Sequence, residues 1–378
     1  MLDLLCFSHL RWDFVFQRPQ HLMIRFARER RVFYIEEPVI GSGPARLVVT
    51  HRGEGLYVAV PHVPTGVRAQ DLPKLQQRLV SRLRRGYDID DYMLWYYTPM
   101  ALDASRHLTS PRAVVYDCMD ELSAFRGAPP DLIVREAELL CSATLVFTGG
   151  HSLYEAKCRQ HARVYPFPSS VDVEHFVAAR HSLADPADQA PIPHPRLGFY
   201  GVIDERLDLD LLSALAITRP NWHMVMVGPV AKIDVGDLPA SPNIHYLGMK
   251  GYAELPQYLS GWDVALLPFA RNEATRYISP TKTPEYLAAG RPVVSTSIRD
   301  VVRPYGDQGL VRIADTPGDM ELAVEAALSE NAEERAARVD PFLSWMSWDR
   351  TWTRMHALVE EAAAIPASPR IRNAARAA

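Results

Sequence analysis

The feature that most constrains this chain is an alternation. Apolar runs of about five residues are separated by stretches with helical spacing, from one end to the other. Leu2–Phe7, Arg31–Ile35, Met93–Tyr97, Ala113–Tyr116 and Thr144–Thr148 read as buried strands, with helical segments Gln20–Glu29, Leu72–Leu83 and Leu132–Leu140 between them. Alternation of this kind predicts βαβ units and a parallel sheet covered on both faces. His181–Arg196 breaks the rhythm with Pro186, Pro191, Pro193 and Pro195 and reads as a connection. The alternation then restarts. Strands are expected at Leu197–Tyr200, His223–Val227, Ile244–Leu247, Val264–Leu267 and Pro292–Thr296, with helices at Leu209–Ile217, Ala253–Leu259, Thr283–Ala289 and a long Asp319–Arg338. At 378 residues the chain exceeds what one core usually organises. The expectation is two α/β domains, 1–180 and 190–344. Trp345, Trp348 and Trp352 make Trp345–Glu361 too apolar for a free tail, so a helix over 345–362 is expected to pack back on the first domain. Pro366–Ala378, rich in Ala and Arg, is expected to be disordered.

Charge and cysteine usage then exclude several functions. A net charge of −4 argues against a nucleic-acid binder. Cys6, Cys118, Cys141 and Cys158 are far apart, without a C-x-x-C pair or zinc-ligand spacing. Neither a disulfide framework nor a structural zinc is expected, and a reducing, cytoplasmic location fits. Met1–Phe7 has no basic n-region and carries Asp3, so it reads as a strand and not a signal peptide. No apolar run approaches the ~18 residues that span a bilayer. Peripheral contact at the inner face of a membrane stays open. Leu72, Leu75, Leu79 and Leu83 share one helical face, with Lys74, Arg78, Arg82, Arg84 and Arg85 nearby. That pattern fits a basic helix lying on anionic lipid, and equally a surface helix packing its leucines on a sheet. P-loop, G-x-S-x-G and H-E-x-x-H motifs are missing, and Gly41-Ser-Gly43 is an incomplete dinucleotide fingerprint.

The most informative stretch is Ser279–Val294. Pro284 suits a first helical turn and Gly290 the position just past the helix end, so Thr281, Lys282 and Thr283 fall at a helix N-terminus. Such a terminus attracts anions, and Lys282 adds a full positive charge. Glu285, one turn in, suits hydrogen bonds from vicinal hydroxyls, as an acidic residue makes to a ribose. A nucleotide-diphosphate pocket and an ordinary i,i+3 surface pair both fit these residues.

In K-x-x-E-x-x-A-x-G-x-P-V-V, running from Lys282 to Val294, this stretch resembles the donor-binding segment of GT-B glycosyltransferases of the retaining family-4 (group 1) type. Pro168-Ser169-Ser170-Val171-Asp172 with Phe176 is similar to that family's interdomain motif, and Leu197–Gly201 to the first strand of its nucleotide domain. Leu247-Gly248 through Glu254, Tyr258 and Asp263-Val264 resembles the stretch that holds the nucleotide base. The opening Trp12 to Gln17-Arg18-Pro19-Gln20-His21-Leu22 resembles a subset of bacterial enzymes of polysaccharide assembly.

The resemblance implies a GT-B fold, two Rossmann-like domains facing across a cleft. It implies hexosyl transfer from a nucleotide-diphosphate sugar, a UDP-sugar, to a glycan or lipid-linked acceptor in cell-surface polysaccharide synthesis. Retention and independence of metal are implied too, with no cofactor because the nucleotide-sugar is a substrate. On the donor side it points to Lys282, Thr281, Gly201 and Arg206 near the diphosphate and Glu285 on the ribose. Arg206 also fits a helix-start residue paired with Asp204 or Asp208. Tyr277 stands where the family's E-x7-E motif has its first Glu, beside the transferred sugar. On the acceptor side, Asp120 is the preferred catalytic group, with His9 as a second and Asp117 as the alternate. Either Asp fits a helix N-cap as well. Arg11, Asp13 and the Gly149-Gly150-His151-Ser152 strand end are further cleft candidates. A GT-B type nucleotide-sugar epimerase and a catalytically silent nucleotide-binding scaffold share this architecture.

Overall fold

The computed structural model describes residues 2–364; the segment 366–378 lies outside them. The first half of the chain forms a nine-stranded sheet. Its strands are β1 (Asp3–Ser8), β2 (Val32–Glu36), β3 (Val39–Gly41), β4 (Arg46–His51), β5 (Leu56–Pro64), β6 (Tyr92–Tyr96), β7 (Val114–Cys118), β8 (Leu145–Thr148) and β9 (Val164–Pro166). They lie in the order β3-β5-β2-β1-β6-β7-β8-β9, and β4 pairs antiparallel with β5. The second half forms a six-stranded parallel sheet from β10 (Arg196–Tyr200), β11 (His223–Val227), β12 (Ile244–Gly248), β13 (Val264–Leu267), β14 (Val293–Ser295) and β15 (Arg312–Ile313). Its order is β12-β11-β10-β13-β14-β15.

Burial on both faces explains the unbroken apolar runs. Leu4, Cys6, Val32, Tyr34, Met93 and Trp95 point to one side of the first sheet, where they pack with Leu22 and Phe26 of the helix Arg18–Ala27. Leu5, Phe7, Phe33, Ile35, Leu94 and Tyr96 point to the other, against Val80, Leu83, Leu139 and Leu140 of the helices Leu72–Gly86 and Leu132–Ser142. The helix Trp348–Ala364 adds Trp348, Met355, Val359 and Ala362 to the first of these cores. Arg25 and Arg28 anchor it through Asp349 at 2.9 and 3.1 Å, and Arg30 through Glu360 at 2.5 Å. The chain therefore returns from the second sheet to cover the first.

Three features differ from the sequence reading. Strands β3 to β5 have no counterpart there: β4 is an exposed edge strand and the short β3 is half-open to solvent, whereas β5, buried at alternate positions, is overlooked. Gly43, with φ +111°, lies in the connection between them, which accounts for the glycines that resemble a partial fingerprint. The expected helix Asp319–Arg338 is two helices, Pro317–Leu328 and Ala332–Leu343. Asn331 interrupts it by accepting the N–H groups of Glu333 and Glu334 at 2.8 and 3.1 Å, a strong N-cap that starts a new helix.

In both sheets strand order reverses beside the first strand, at β1/β6 and at β10/β13. Ligands of open α/β sheets bind beyond the strand carboxyl ends at such points. One buried ion pair fixes the first of these edges. Arg18 and Asp117 are 1% and 0% exposed; Nη2 meets Oδ1 at 2.8 Å, and Nη1 donates to the Phe167 carbonyl at 2.6 Å. Removing one partner leaves the other charged and dry. Asp117→Ala is expected to lower the unfolding free energy by about 3–5 kcal/mol in urea titrations.

Candidate functional site

At the carboxyl end of β10, Tyr200 and Gly201 begin the floor of a cavity of about 430 Å³. Gly201 has φ +137°, and a methyl group there would lie 2.2 Å from Lys282 Cε. Only a residue without a Cβ lets the lysine lie flat across the strand end. The Lys282 ammonium also stands 5.6 Å from the Phe199 ring centroid. No carboxylate pairs with it among the described residues. Loss of water pulls its pKa below the ordinary lysine value and Arg206 repels it further, while Glu285, Asp204 and Asp120 pull the other way.

Glu285 sits one turn into the helix Lys282–Ala288, 6% exposed. Burial raises its carboxyl, opposed by the Tyr200 hydroxyl, which donates to Oε2, and by Lys282. Tyr286 accepts the Tyr200 backbone N–H at 2.9 Å, tying this helix to β10. Thr281 lines the same cavity at the start of the helix without capping it through its side chain. Arg206 lines it too, bound by Asp204 at 2.7 Å (Nη2 to Oδ2) and 2.9 Å (Nε to Oδ1). Its cation is thus oriented and partly neutralised. Tyr277 is elsewhere. It lines a neighbouring crevice with Ser152, Glu155 and Arg299, packs on the core of the first half, and does not line the Lys282 cavity. The structure thus separates Tyr277 from the other donor-side candidates.

The loop after β1 forms the opposite wall through Trp12, Asp13, Phe14 and Phe16. Asp13 pairs with Arg52, and Arg11 with Glu36 at 2.8 Å, so neither is free. His9 is neutral at ordinary pH because burial, then Lys232, lower its pKa to about 4; its Nδ1 has no partner. Asp120 is half-buried, its carboxyl raised by desolvation and pulled back by Arg206, Lys282 and Lys232 of the other half. Its neighbour Glu121 is held by Lys157 at 2.7 Å, which also binds Glu136 at 2.7 Å, so the turn is fixed. Asp117 is a correction. Its carboxylate is spent on Arg18 inside the core and reaches no cleft surface.

His151 and Gly150 face the second half differently from expectation. Asp300 accepts the Ser152 N–H at 3.1 Å, and a Cβ on Gly150 would lie 2.0 Å from Asp300 Oδ2. The glycine allows close approach of the two halves, and these amides are already occupied. Sequence reading missed Tyr200, Phe125 and Lys232; Asp204 it named as a partner of Arg206, and the structure makes that pair. The signal for Lys232 was available in Gly228-Pro229, a turn ending β11 just before it. Phe125 had none, because its partners lie in the other half.

Residues 194–330 match the model of a family described as Glycosyl transferases group 1. Over 268 residues the chain is 28% identical to a Bacillus subtilis protein named "Putative teichuronic acid biosynthesis glycosyltransferase TuaH". That alignment covers 64% of this chain and 64% of the relative, under two thirds of its length. Among solved structures, sucrose-phosphate synthase from Thermosynechococcus elongatus superposes with a TM-score of 0.71 at 13% identity, covering 96% of this chain and 99% of that one. A trehalose-phosphate synthase (UDP-forming) from Burkholderia xenovorans, in complex with glucose-6-phosphate, gives 0.67 at 14% identity, over 96% and 100% of the two chains. An E. coli structure bound with UDP-2-fluoro glucose gives 0.66 at 13%, over 96% and 99%. The chain has the GT-B fold and resembles the group 1 glycosyltransferases.

The depressed lysine has a measurable consequence. A lysine whose pKa is lowered loses its charge earlier as pH rises. Affinity for UDP, followed by calorimetry from neutral to alkaline pH, is expected to fall below the ordinary lysine range. The slope is at most about ten-fold per pH unit for one proton. Lys282→Arg, which keeps its charge, is expected to flatten that limb.

Proposed function

We propose that this chain transfers a hexosyl group from a UDP-sugar to a glycan or lipid-linked acceptor of cell-surface polysaccharide, with retention and without a metal ion. The observation that carries the reading is the Lys282 ammonium lying across Gly201 at the cavity floor, beside Glu285 and Arg206 and facing Asp120. In transfer, the bond between the anomeric carbon and the diphosphate oxygen breaks, and the electron pair stays on the diphosphate. Fixed cations in a poorly hydrated place stabilise that growing charge more than water does. Lys282 and Arg206 supply it. Independence of metal rests on the family-4 resemblance. Glu285, oriented by Tyr200, takes the ribose hydroxyls in this reading.

The acceptor oxygen then bonds to the anomeric carbon, and its proton needs a base. Burial makes the Asp120 carboxylate more basic than an exposed one, and Arg206, Lys282 and Lys232 oppose that rise. His9, neutral and with Nδ1 unpartnered, is the second group on that wall. The teichuronic acid relative supports a polysaccharide product, and the neighbours described as UDP-forming or bound with UDP-2-fluoro glucose support UDP. Retention rests on the family-4 resemblance, and proton NMR of the product's anomeric centre tests it.

Membrane contact, if the acceptor is lipid-linked, falls to the helix Leu72–Gly86. Leu79 and Leu83 are buried against the sheet, so these two leucines are not offered to lipid, while Leu72 and Leu75 are half-buried. Lys74, Arg78, Arg82 and Arg85 stay exposed on its outer face. Attachment there is electrostatic. No described helix is long and apolar enough to cross a membrane.

A thermal-shift screen of UDP-, GDP- and ADP-sugars is expected to show stabilisation growing with concentration for UDP-sugars. Lys282→Ala is expected to lower transfer by about 10²-fold or more; full transfer by that variant overturns the assignment. Asp120→Asn is expected to lower kcat by about 10²–10⁴-fold. Binding to phosphatidylglycerol vesicles in sedimentation is expected to vanish in high salt and in an Arg78→Glu/Arg82→Glu variant.

A further inference from the structure

The turn that carries Asp120 continues across the cleft. Phe125 lies between two cations of the second half, with Lys232 Nζ 4.6 Å and Arg206 Cζ 5.4 Å from its ring centroid. One residue on, the Arg126 N–H reaches Glu205 at 3.4 Å, so the contact is anchored from the first half. Of the two cations, Arg206 already has the Asp204 carboxylate. Lys232 has no carboxylate partner among the described residues, and it is exposed. Its backbone holds φ at +62°, a conformation that costs a residue with a Cβ some stability. An exposed lysine ordinarily points to water; here a strained turn and an aromatic ring hold it at the cleft.

Its surroundings say what it faces. Lys232 acts on His9 and on Asp120, the two groups of the acceptor wall. It does not line the cavity of Lys282 and Glu285. A cation over an aromatic face is a weak, replaceable contact, whereas a cation–anion hydrogen bond is stronger. Lys232 and Arg206 on one ring also repel each other, and an anion relieves that repulsion.

We propose that Lys232, positioned by Phe125, recognises a negatively charged group, a carboxylate or a phosphate, on the sugar acceptor. The inference rests on the glycosyltransferase reading and adds the class of acceptor: an acidic or phosphorylated saccharide. Lys232 is a specificity residue in this account. It leaves the proton transfer to Asp120 or His9.

The test uses the full chain preloaded with UDP and three sugars of one skeleton: glucose, glucuronate and glucose 6-phosphate. Calorimetry is expected to show at least one charged sugar binding about ten-fold or more tightly than glucose, with an advantage that shrinks as salt rises. Which of the two binds better separates a carboxylate from a phosphate. Lys232→Ala is expected to abolish the advantage, and Lys232→Arg to keep most of it. Equal binding of all three sugars, or a preference that survives in Lys232→Ala, overturns the proposal. So does a loss of UDP affinity in Lys232→Ala as large as the loss for the charged sugar, since that places the lysine on the diphosphate. UDP failing to bind the unaltered chain sinks the donor reading instead, and the charged-sugar comparison without UDP still reads Lys232.

Discussion

A lysine ammonium partly shielded from water, with no carboxylate in direct contact among the described residues, is the interaction around which the second half of this molecule is built. Dehydrating a charge is costly, so the groups around Lys282 must hold it where it is. Gly201 removes the Cβ that would push it away. The Tyr286 hydroxyl takes the Tyr200 backbone N–H and fixes the helix to β10, while the Tyr200 hydroxyl fixes Glu285 one turn from the lysine. Tyr286 and Leu287 are themselves core residues of the second sheet. The packing of that core and the placement of the charge are the same structural fact.

The opposite wall depends on how the halves meet. Asp300 reaches from beyond β14 to the start of the helix His151–Lys157, and Gly150 permits the approach. Near the other end, Tyr252 meets Phe16 at 4.7 Å and His21 at 5.6 Å, and His21 stacks on Trp348 at 4.5 Å with the rings 9° apart. His21 is 4% exposed, and its burial lowers its pKa to about 3, so it packs as a neutral ring. One junction is polar and the other aromatic. Between them the turn Asp120–Phe125 spans the cleft, so the acceptor wall exists as described only while the halves are together.

Legibility in the sequence follows from whether a signal is local. The central strands were readable because both their faces are buried, which leaves unbroken runs such as Met224–Val227. β4 was not, since its edge position leaves mixed exposure and no periodic cue. Lys282 and Glu285 stood out because they share one short helix with a proline and a glycine at its ends. The choice between Asp117 and Asp120 could not be made from local pattern. It depends on Arg18, 99 residues away, which claims Asp117, and on three cations of the other half, whose charges act on Asp120. Tyr277 shows the converse. Its spacing from Glu285 fits a family motif, yet the chain between β13 and the helix Lys282–Ala288 carries it into another crevice. Spacing specifies a position along the chain, and a loop decides where that position goes.

The charges explain why such a cleft suits anions at both ends. Lys282, Arg206 and Lys232 come from one half, and among the described residues only Asp204 pairs directly with any of them. Asp120 and Glu285 both have raised pKa values, which weakens their hold as counter-ions. The charge these cations carry is partly shielded from water at Lys282 and exposed at Lys232. In the proposed reading, a diphosphate neutralises it near Lys282. The part at Lys232 lies beyond that cavity, past Arg206 and its carboxylate, so a donor alone leaves it in place. In the proposed reading, an acceptor with its own negative charge completes the neutralisation beside Asp120 and His9, the groups proposed to act on its hydroxyl.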